Sequence, residues 1–342
     1  MNPTLNILEN KPLDQLNTLG LRVNARYFAE VNTVDELREA LKYARQQGLP
    51  VVPLGEGSNV VLGEDLNALV LLIRLKERTL VCQQDGLVIV RGGAGECWHK
   101  FVLWSLKNNA FGLENLSLIP GTLGAAPIQN IGAYGVELKD RFVSLEAVSV
   151  ETGEVVTFSL AECAFGYRDS IFKGAWRDQY IITSVTLKLD AELKPKLDYG
   201  HLRGLLHERL SGQHPSGMDI SQAVCDIRRQ KLPDPKHLGN AGSFFKNPVV
   251  SQSTFSKLQA RHPDIVGYST GDQWKLAAGW LIDKAGLKGF RQGGVGTYEH
   301  QALVLINYGQ ATSHDVLLFS QFVQSKVKAM FGVELEPEPR FY

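Results

Sequence analysis

Long apolar runs, paired cysteines, a charge imbalance and the common nucleotide-binding glycine motifs are all missing from this 342-residue sequence. No stretch approaches the roughly 18 apolar residues of a membrane-spanning helix, so no membrane partner is expected. The opening MNPTLNILENKPLDQLN has neither a basic start nor an apolar core, and no signal peptide is expected there. Lys and Arg number 36 and Asp and Glu 36, which leaves no global field to attract nucleic acid or anionic lipid. The four cysteines, Cys82, Cys97, Cys163 and Cys225, include no CxxC pair. They read as structural thiols of a reducing compartment, not as disulfides or metal ligands. A cytoplasmic protein without a metal site is the expectation.

The glycine motifs that do occur depart from the familiar ones. Gly55-Glu56-Gly57-Ser58-Asn59 follows a strand candidate, Val51–Leu54. A strand feeding such a turn presents backbone amides to a phosphate, with glycine permitting positive φ. It is not a Rossmann fingerprint, because Val60 stands where the third glycine belongs. Gly93-Ala94-Gly95 fails in the same way, with Trp98 in that place, and no Gly-Lys dipeptide exists to make a Walker A loop.

What is present reads as mixed α and β. Thr33-Val34-Asp35-Glu36 has the form of a capping box opening a helix with Leu37, Ala40, Leu41 and Ala44 on one face, closed by Gly48 and Pro50. Strands are expected at Val51–Leu54, 69–75, 87–91, 142–150, 155–158 and 180–189, with a helix from about 96 to 107. Between 191 and 219 the composition shifts toward Lys, His, Gly and Pro, which marks a connection. Further on come a helix over 274–285, a strand over 302–307 and a long helix over 313–330 with Val316, Phe319, Val323, Val327 and Met330 inward. The chain divides into a larger domain over 20–192, a connection over 193–219, a smaller domain over 220–330 and a tail over 331–342.

The most informative stretch is 120–135, PGTLGAAPIQNIGAYG, with four glycines, three alanines and no charged residue. It suits a large, flat, partly polar ligand lying against exposed backbone, although a glycine-rich connection would look the same. A second pattern, Gly267-Tyr268-Ser269-Thr270-Gly271, matches a hydrolase nucleophile elbow. An elbow needs a buried strand before the serine and a helix starting at it. Neither is legible here, so an ordinary loop is expected and a serine hydrolase remains a rival class.

Five segments, in chain order, resemble the UDP-N-acetylenolpyruvoylglucosamine reductase family. Gly55-Glu56-Gly57-Ser58-Asn59 is similar to its pyrophosphate turn and 120–135 to its flavin loop. FGYRDS at 165–170 carries its arginine, GNAGSFFKNP at 239–248 its serine, and LEPEPRF at 335–341 its terminal glutamate. The resemblance implies an α+β fold: an FAD-binding module of the vanillyl-alcohol oxidase (PCMH) type plus a smaller α+β C-terminal substrate-binding domain, with the tail returning to the active site. It implies FAD as cofactor, NADPH as electron donor, and reduction of UDP-N-acetylglucosamine enolpyruvate to UDP-N-acetylmuramate for peptidoglycan synthesis. A monomer acting on a small UDP-sugar is expected. Flavin contacts are implied at Gly55, Gly57, Ser58, Asn59, Gly121, Thr122, Gly124, Ala125, Ile128, Gly132, Tyr134 and Arg340. Ala125 and Ala126 stand where some relatives have serines, so those hydroxyl contacts are lost. Substrate contacts are implied at Tyr167, Tyr199, Lys231, Asn247 and Gln301, with Tyr199 resembling the tyrosine of a loop that covers UDP in the longer branch of the family.

The implied reaction adds hydride to a vinyl carbon, and negative charge develops at the ether-bearing carbon and its carboxylate. Arg168 has a planar fork that fits a carboxylate, as it would fit any salt-bridge partner. Glu338 must be protonated to donate to a carboxylate, and Pro337 and Pro339 would equally suit a solvated tail. Ser243 alone reads as a turn serine, yet an enolate is a strong enough base to take its proton. Only the resemblance gives Arg168 and Glu338 the carboxylate and Ser243 the carbon. A flavin oxidase of the same fold and a non-catalytic sugar-nucleotide binder stay open beside it.

Overall fold

The computed structural model describes residues 5–63 and 65–342; residues 1–4, which open the N-terminal segment read above, and Glu64 lie outside it. Strands β1 (Leu8–Pro12) and β2 (Asn24–Val31) precede helix α1 (Val34–Gln47). Thr33 Oγ1 accepts the Glu36 N–H at 3.1 Å, and the Glu36 carboxylate reaches back to the Asn32 N–H at 2.6 Å, one residue beyond a standard capping box. Gly48 ends the helix at φ 63°, and Leu37, Ala40, Leu41 and Ala44 are buried as their spacing predicts. There follow β3 (Val51–Leu54), β4 (Val60–Val61), β5 (Leu66–Ile73), β6 (Arg78–Gln84), β7 (Leu87–Gly93) and α2 (Trp98–Lys107). Beyond the glycine loop come β8 (Gly132–Ala133), β9 (Val136–Glu137), β10 (Phe142–Ser149), β11 (Val155–Ser159) and β12 (Tyr180–Asp190).

Two larger sheets result. One has the order β1-β2-β5-β3, with β3 parallel to β5 from Val51↔Leu69 to Leu54↔Leu72. The near-continuous burial of β5 is what a strand covered on both faces requires. The other is antiparallel, in the order β11-β10-β12-β7-β6. Edge strand β6 has no sequence signature because all seven of its residues are exposed, so no apolar alternation was selected. Leu71, Val90, Trp98, Phe101, Leu123, Val185 and Leu187 belong to one buried core that also takes in the loop start.

The expected connection over 193–219 contains α3 (Leu202–Arg209) and the beginning of α4 (Gly217–Lys231). Leu202 and Leu206 pack with Ile220, Ala223 and Val224 in a small core of their own. This packing assigns α4, up to Gln230, to the first compact unit, which comprises residues up to Lys11, Ala25–Glu56 and Asn67–Gln230. The second unit comprises Pro12–Asn24, Gly57–Leu66 and Lys231–Tyr342.

In the second unit the chain forms β13 (Gly239–Ser243), β14 (Val249–Ser251), α5 (Gln252–Arg261), β15 (Gly267–Thr270), β16 (Gln273–Leu276) and α6 (Ala278–Lys284). Then follow β17 (Arg291–Gln292), β18 (Val295–Thr297), β19 (Val304–Asn307), α7 (Ser313–Phe331) and β20 (Arg340–Phe341). The sheets run β13-β19-β18-β17 and β14-β16-β15, while β20 pairs in parallel with β4. Residues 12–24 join this unit through side chains: Thr18 Oγ1 donates to Asn240 O at 2.7 Å and Asn307 Nδ2 to Leu19 O at 2.8 Å.

Two expectations are corrected here. The helix expected from Trp274 begins at Ala278; Trp274 lies in β16, paired on both sides, with its ring stacked 3.8 Å from that of Phe255. On α7, Met330 is 50% exposed and Phe331 is buried instead, because the step of four from Val327 continues the inward stripe.

Candidate active site

In the first unit, loop 120–135 is tied down at its start by backbone bonds: Trp98 N–H donates to Gly121 O and Gly124 N–H to Ala94 O, each at 2.9 Å, and Leu123 N–H donates to Glu96 O at 2.8 Å. Its glycines answer a demand the sequence did not reveal. A Cβ on Gly124 would lie 2.5 Å from Ala94 Cβ and one on Gly132 2.9 Å from Arg168 Nη1; outside the loop, one on Gly55 would lie 2.6 Å from Thr122 Oγ1. Close approach to Ala94 therefore requires glycine at 124, whatever else the loop contacts. Ala125 is exposed and Thr122 buried.

Two buried asparagines fix the loop from beneath. Asn130, at φ 43°, accepts the Lys139 N–H at 3.0 Å through Oδ1 and donates to Gly166 O at 2.9 Å through Nδ2. Asn115 Nδ2 donates to Tyr134 O at 2.9 Å and to Lys196 O at 2.8 Å, joining the loop to the segment that leads to Tyr199. Tyr199, 48% exposed, meets Tyr134 edge-on with ring centres 5.9 Å apart. Arg168 has the left-handed φ of 52°, donates from Nη2 to Gly132 O, and lies 5.3 Å from the Tyr167 ring. Ser170 Oγ donates to Ile128 O at 2.6 Å, so the arginine segment and the loop are bonded at three points.

Arg228 is a residue that the sequence reading missed. Its Nε donates to Leu118 O at 3.1 Å, while His99 Nδ1 accepts the Leu118 N–H at 3.1 Å and holds that residue at φ 58°. Burial lowers the Arg228 pKa; Tyr134 and Cys225 oppose the shift and Arg168 adds to it, which places the guanidinium in the electrostatic field of both Tyr134 and Arg168. Burial likewise raises the Tyr134 pKa and lowers that of His99. The available signal was spacing: Arg228 lies three residues before Lys231 on one helix.

In the second unit, the C-terminal tail connects the other candidates. Glu338 N–H donates to Phe244 O at 2.8 Å, and Lys246 N–H donates to Glu336 O at 2.9 Å. Arg340 N–H donates to Asn59 O at 3.0 Å, Tyr342 N–H to Val61 O at 3.1 Å, and Asn59 Nδ2 to Glu338 O at 3.4 Å. The tail thus runs along 244–246 and then along 59–61. This explains the Glu-Pro-Glu-Pro-Arg alternation, since the amides used belong to Glu338 and Arg340, and proline, which has none to give, fills the places between. Ser243 stands exposed at the end of β13, opposite Val304, after a bulge at which Gly242 takes φ 67°. Glu338 is half-buried.

Asn247 Oδ1 accepts the Ala278 N–H at 2.9 Å, and Gln301 Oε1 lies 2.9 Å from where a Gly279 Cβ would stand, so both reach the start of α6. Lys231 is exposed at the end of α4. Ser269 sits exposed in the middle of β15, opposite Trp274, in a hairpin with no helix beginning at it, so the elbow pattern is a strand of a small sheet. Among the described residues no cluster could hold a metal, and no helix is long and apolar enough to cross a membrane. All four cysteines are free thiols; Cys82 is exposed, and burial pushes the Cys163 thiol up to about 12.

Residues 25–159 match a family model described as an FAD binding domain, and residues 234–342 match one described as the C-terminal domain of UDP-N-acetylenolpyruvoylglucosamine reductase. The chain is 49% identical over 338 residues to the UDP-N-acetylenolpyruvoylglucosamine reductase of Pseudomonas putida, covering 98% of each. It is 49% identical over 340 residues to that of Pseudomonas aeruginosa, covering 99% of this chain and all of the relative. The crystal structure of the reductase from Thermus caldophilus superposes with a TM-score of 0.65 at 25% identity, over 99% of this chain and 98% of that one. For 6-hydroxy-D-nicotine oxidase of Arthrobacter nicotinovorans the TM-score is 0.54 at 13% identity, over 96% and 86% of the two chains, a likeness of fold alone.

Proposed function

Since the chain belongs to the UDP-N-acetylenolpyruvoylglucosamine reductase family, we propose that it reduces UDP-N-acetylglucosamine enolpyruvate to UDP-N-acetylmuramate, with FAD as cofactor and NADPH as reductant. The donor set suits such a cofactor. Loop 120–135 has no charged side chain to oppose a diphosphate, and its exposed Ala125 and Gly135 leave backbone open to a flat ring. Gly55, Gly57, Ser58 and Asn59 would hold the diphosphate, Gly121, Thr122, Gly124, Ala125, Ile128, Gly132 and Tyr134 the rest of the dinucleotide, and Arg340 of the tail would add a further contact. The chemistry supplied by FAD held there would be hydride transfer, with NADPH as the source of electrons.

The chain's own residues then handle charge and a proton. Arg168, its plane set by the bond to Gly132 O, takes the substrate carboxylate. Glu338, in its neutral form, donates to the same group, and together they stabilise charge moving into it. Ser243 gives the proton to carbon, its exposed position allowing resupply from water. Lys231, Asn247, Gln301, Tyr167 and Tyr199 hold the UDP-sugar. The observation that carries this reading is the tail register, which sets Glu338 against Phe244, next to Ser243, and Arg340 against Asn59. Balanced charge gives no global field for nucleic acid, and the enzyme is proposed to work in the cytoplasm as a monomer.

The test is an assay of purified protein with NADPH and the enolpyruvyl UDP-sugar, followed by mass spectrometry. One NADPH consumed per substrate, with a product heavier by two hydrogen atoms, is the expected result. Binding of the UDP-sugar without NADPH consumption would leave a binder, not a reductase.

A further inference from the structure

Glu56 lies inside the 55–59 turn, yet it is the one residue there with no part in the reading above. Its side chain is exposed, and Oε2 accepts the Gly121 N–H at 2.9 Å, at the start of the glycine loop. The Gly121 peptide is held from both ends, since its carbonyl accepts from Trp98 N–H at 2.9 Å. Gly121 itself takes φ 117°, a conformation that only glycine adopts readily. Immediately alongside, Gly55 approaches Thr122 so closely that a Cβ would stand 2.6 Å from Oγ1. The half-buried Cys97 thiol, just before α2, feels the Glu56 carboxylate: burial first and that charge after it raise the thiol's pKa.

Glu56 is therefore a junction of three pieces: the end of β3, the start of α2 and the head of loop 120–135. A carboxylate beside a turn meant for a diphosphate would repel it if it pointed that way. Here the charge is directed onto the Gly121 amide, and a charge-assisted bond to a peptide N–H is stronger than a neutral one.

We propose that Glu56 is a positioning residue for the cofactor: through the Gly121 amide it locks the start of the 55–59 turn to the head of loop 120–135, and so sets the spacing at which the two segments meet FAD. This rests on the assignment of both segments to FAD. Because the side chain is exposed, substitution leaves the core intact.

The experiment compares wild type, Glu56→Ala and Glu56→Gln by two readouts. The first is hydrogen–deuterium exchange of peptides covering 118–124, which reports the Gly121 bond without any cofactor. The second is FAD affinity by fluorescence quenching of added FAD. Exchange should quicken in Glu56→Ala and stay near wild type in Glu56→Gln, which keeps an acceptor. FAD affinity should fall by about tenfold in Glu56→Ala and by no more than about threefold in Glu56→Gln. Unchanged exchange and affinity in Glu56→Ala would overturn the proposal, as would a loss in Glu56→Gln equal to that in Glu56→Ala. Faster exchange in Glu56→Ala with no FAD binding by wild type would uphold the lock and overturn the cofactor assignment.

Discussion

Ser243→Ala is expected to bleach with NADPH at a rate within about twofold of wild type and to recover its colour with the enolpyruvyl substrate about 10³-fold more slowly. Position and chemistry lead to the same expectation. Ser243 is exposed at the end of β13, so losing its hydroxyl removes no core contact and leaves no buried group without a partner. Donation of a proton to carbon matters only while substrate is being reduced. A serine is a weak acid, but charge developing beside a carboxylate makes a base strong enough to use it. Stopped-flow measurement of each half-reaction separates the two effects. Equal slowing of both halves would take the proton-donor role from Ser243 and leave it a structural part of the bulge.

Gly57→Ala should be the most damaging single-methyl change in the chain. Gly57 has φ 61°, and its Cβ would stand 2.0 Å from Leu16 O and 2.7 Å from Asn17 Cα. Both are backbone atoms of a segment fixed by its own bonds, with Asn17 Nδ2 donating to Leu13 O at 2.8 Å and to Leu21 O at 3.0 Å. Neither can swing aside as a side chain would. The expected loss is about 3 kcal/mol or more, a fall in Tm on the order of 6–12 °C, with weaker retention of FAD. Gly242→Ala is the control, because φ 67° there is met by open space and only the left-handed backbone cost of about 1 kcal/mol remains. Equal Tm shifts in the two variants would show that the turn moves as a whole and that the contact with Leu16 does not hold it.

The sequence reveals elements where packing is one-sided and regular. Helix α1 shows its four buried positions and its glycine stop, and β10, β11 and β12 fall close to their expected places. It conceals them where exposure or local pairing decides. Edge strand β6 buries nothing, so no alternation of apolar and polar positions marks its Thr79-Leu80-Val81-Cys82 run as a strand. Trp274 has helix-compatible neighbours and is held in β16 by a ring stack with Phe255, a contact between residues 19 apart. The glycines of 120–135 suggest a ligand from the sequence, while the fold shows that Gly124 is required by the close approach of Ala94 and that Gly132 is crowded by Arg168. Arg168, Ser243 and Glu338 are identifiable because each sits in a distinctive local string. Arg228 and Glu56 are not, because what distinguishes them is a bond to a backbone group of a distant segment, Leu118 O and Gly121 N–H.

The most direct test is the visible spectrum of the purified protein without oxygen, followed through one cycle. It should be yellow as purified, bleach on adding NADPH, and recover its colour when the enolpyruvyl UDP-sugar is added. Bleaching without recovery would keep the flavin site and refute the substrate. A colourless protein that takes up no added FAD would contradict the assignment at its root.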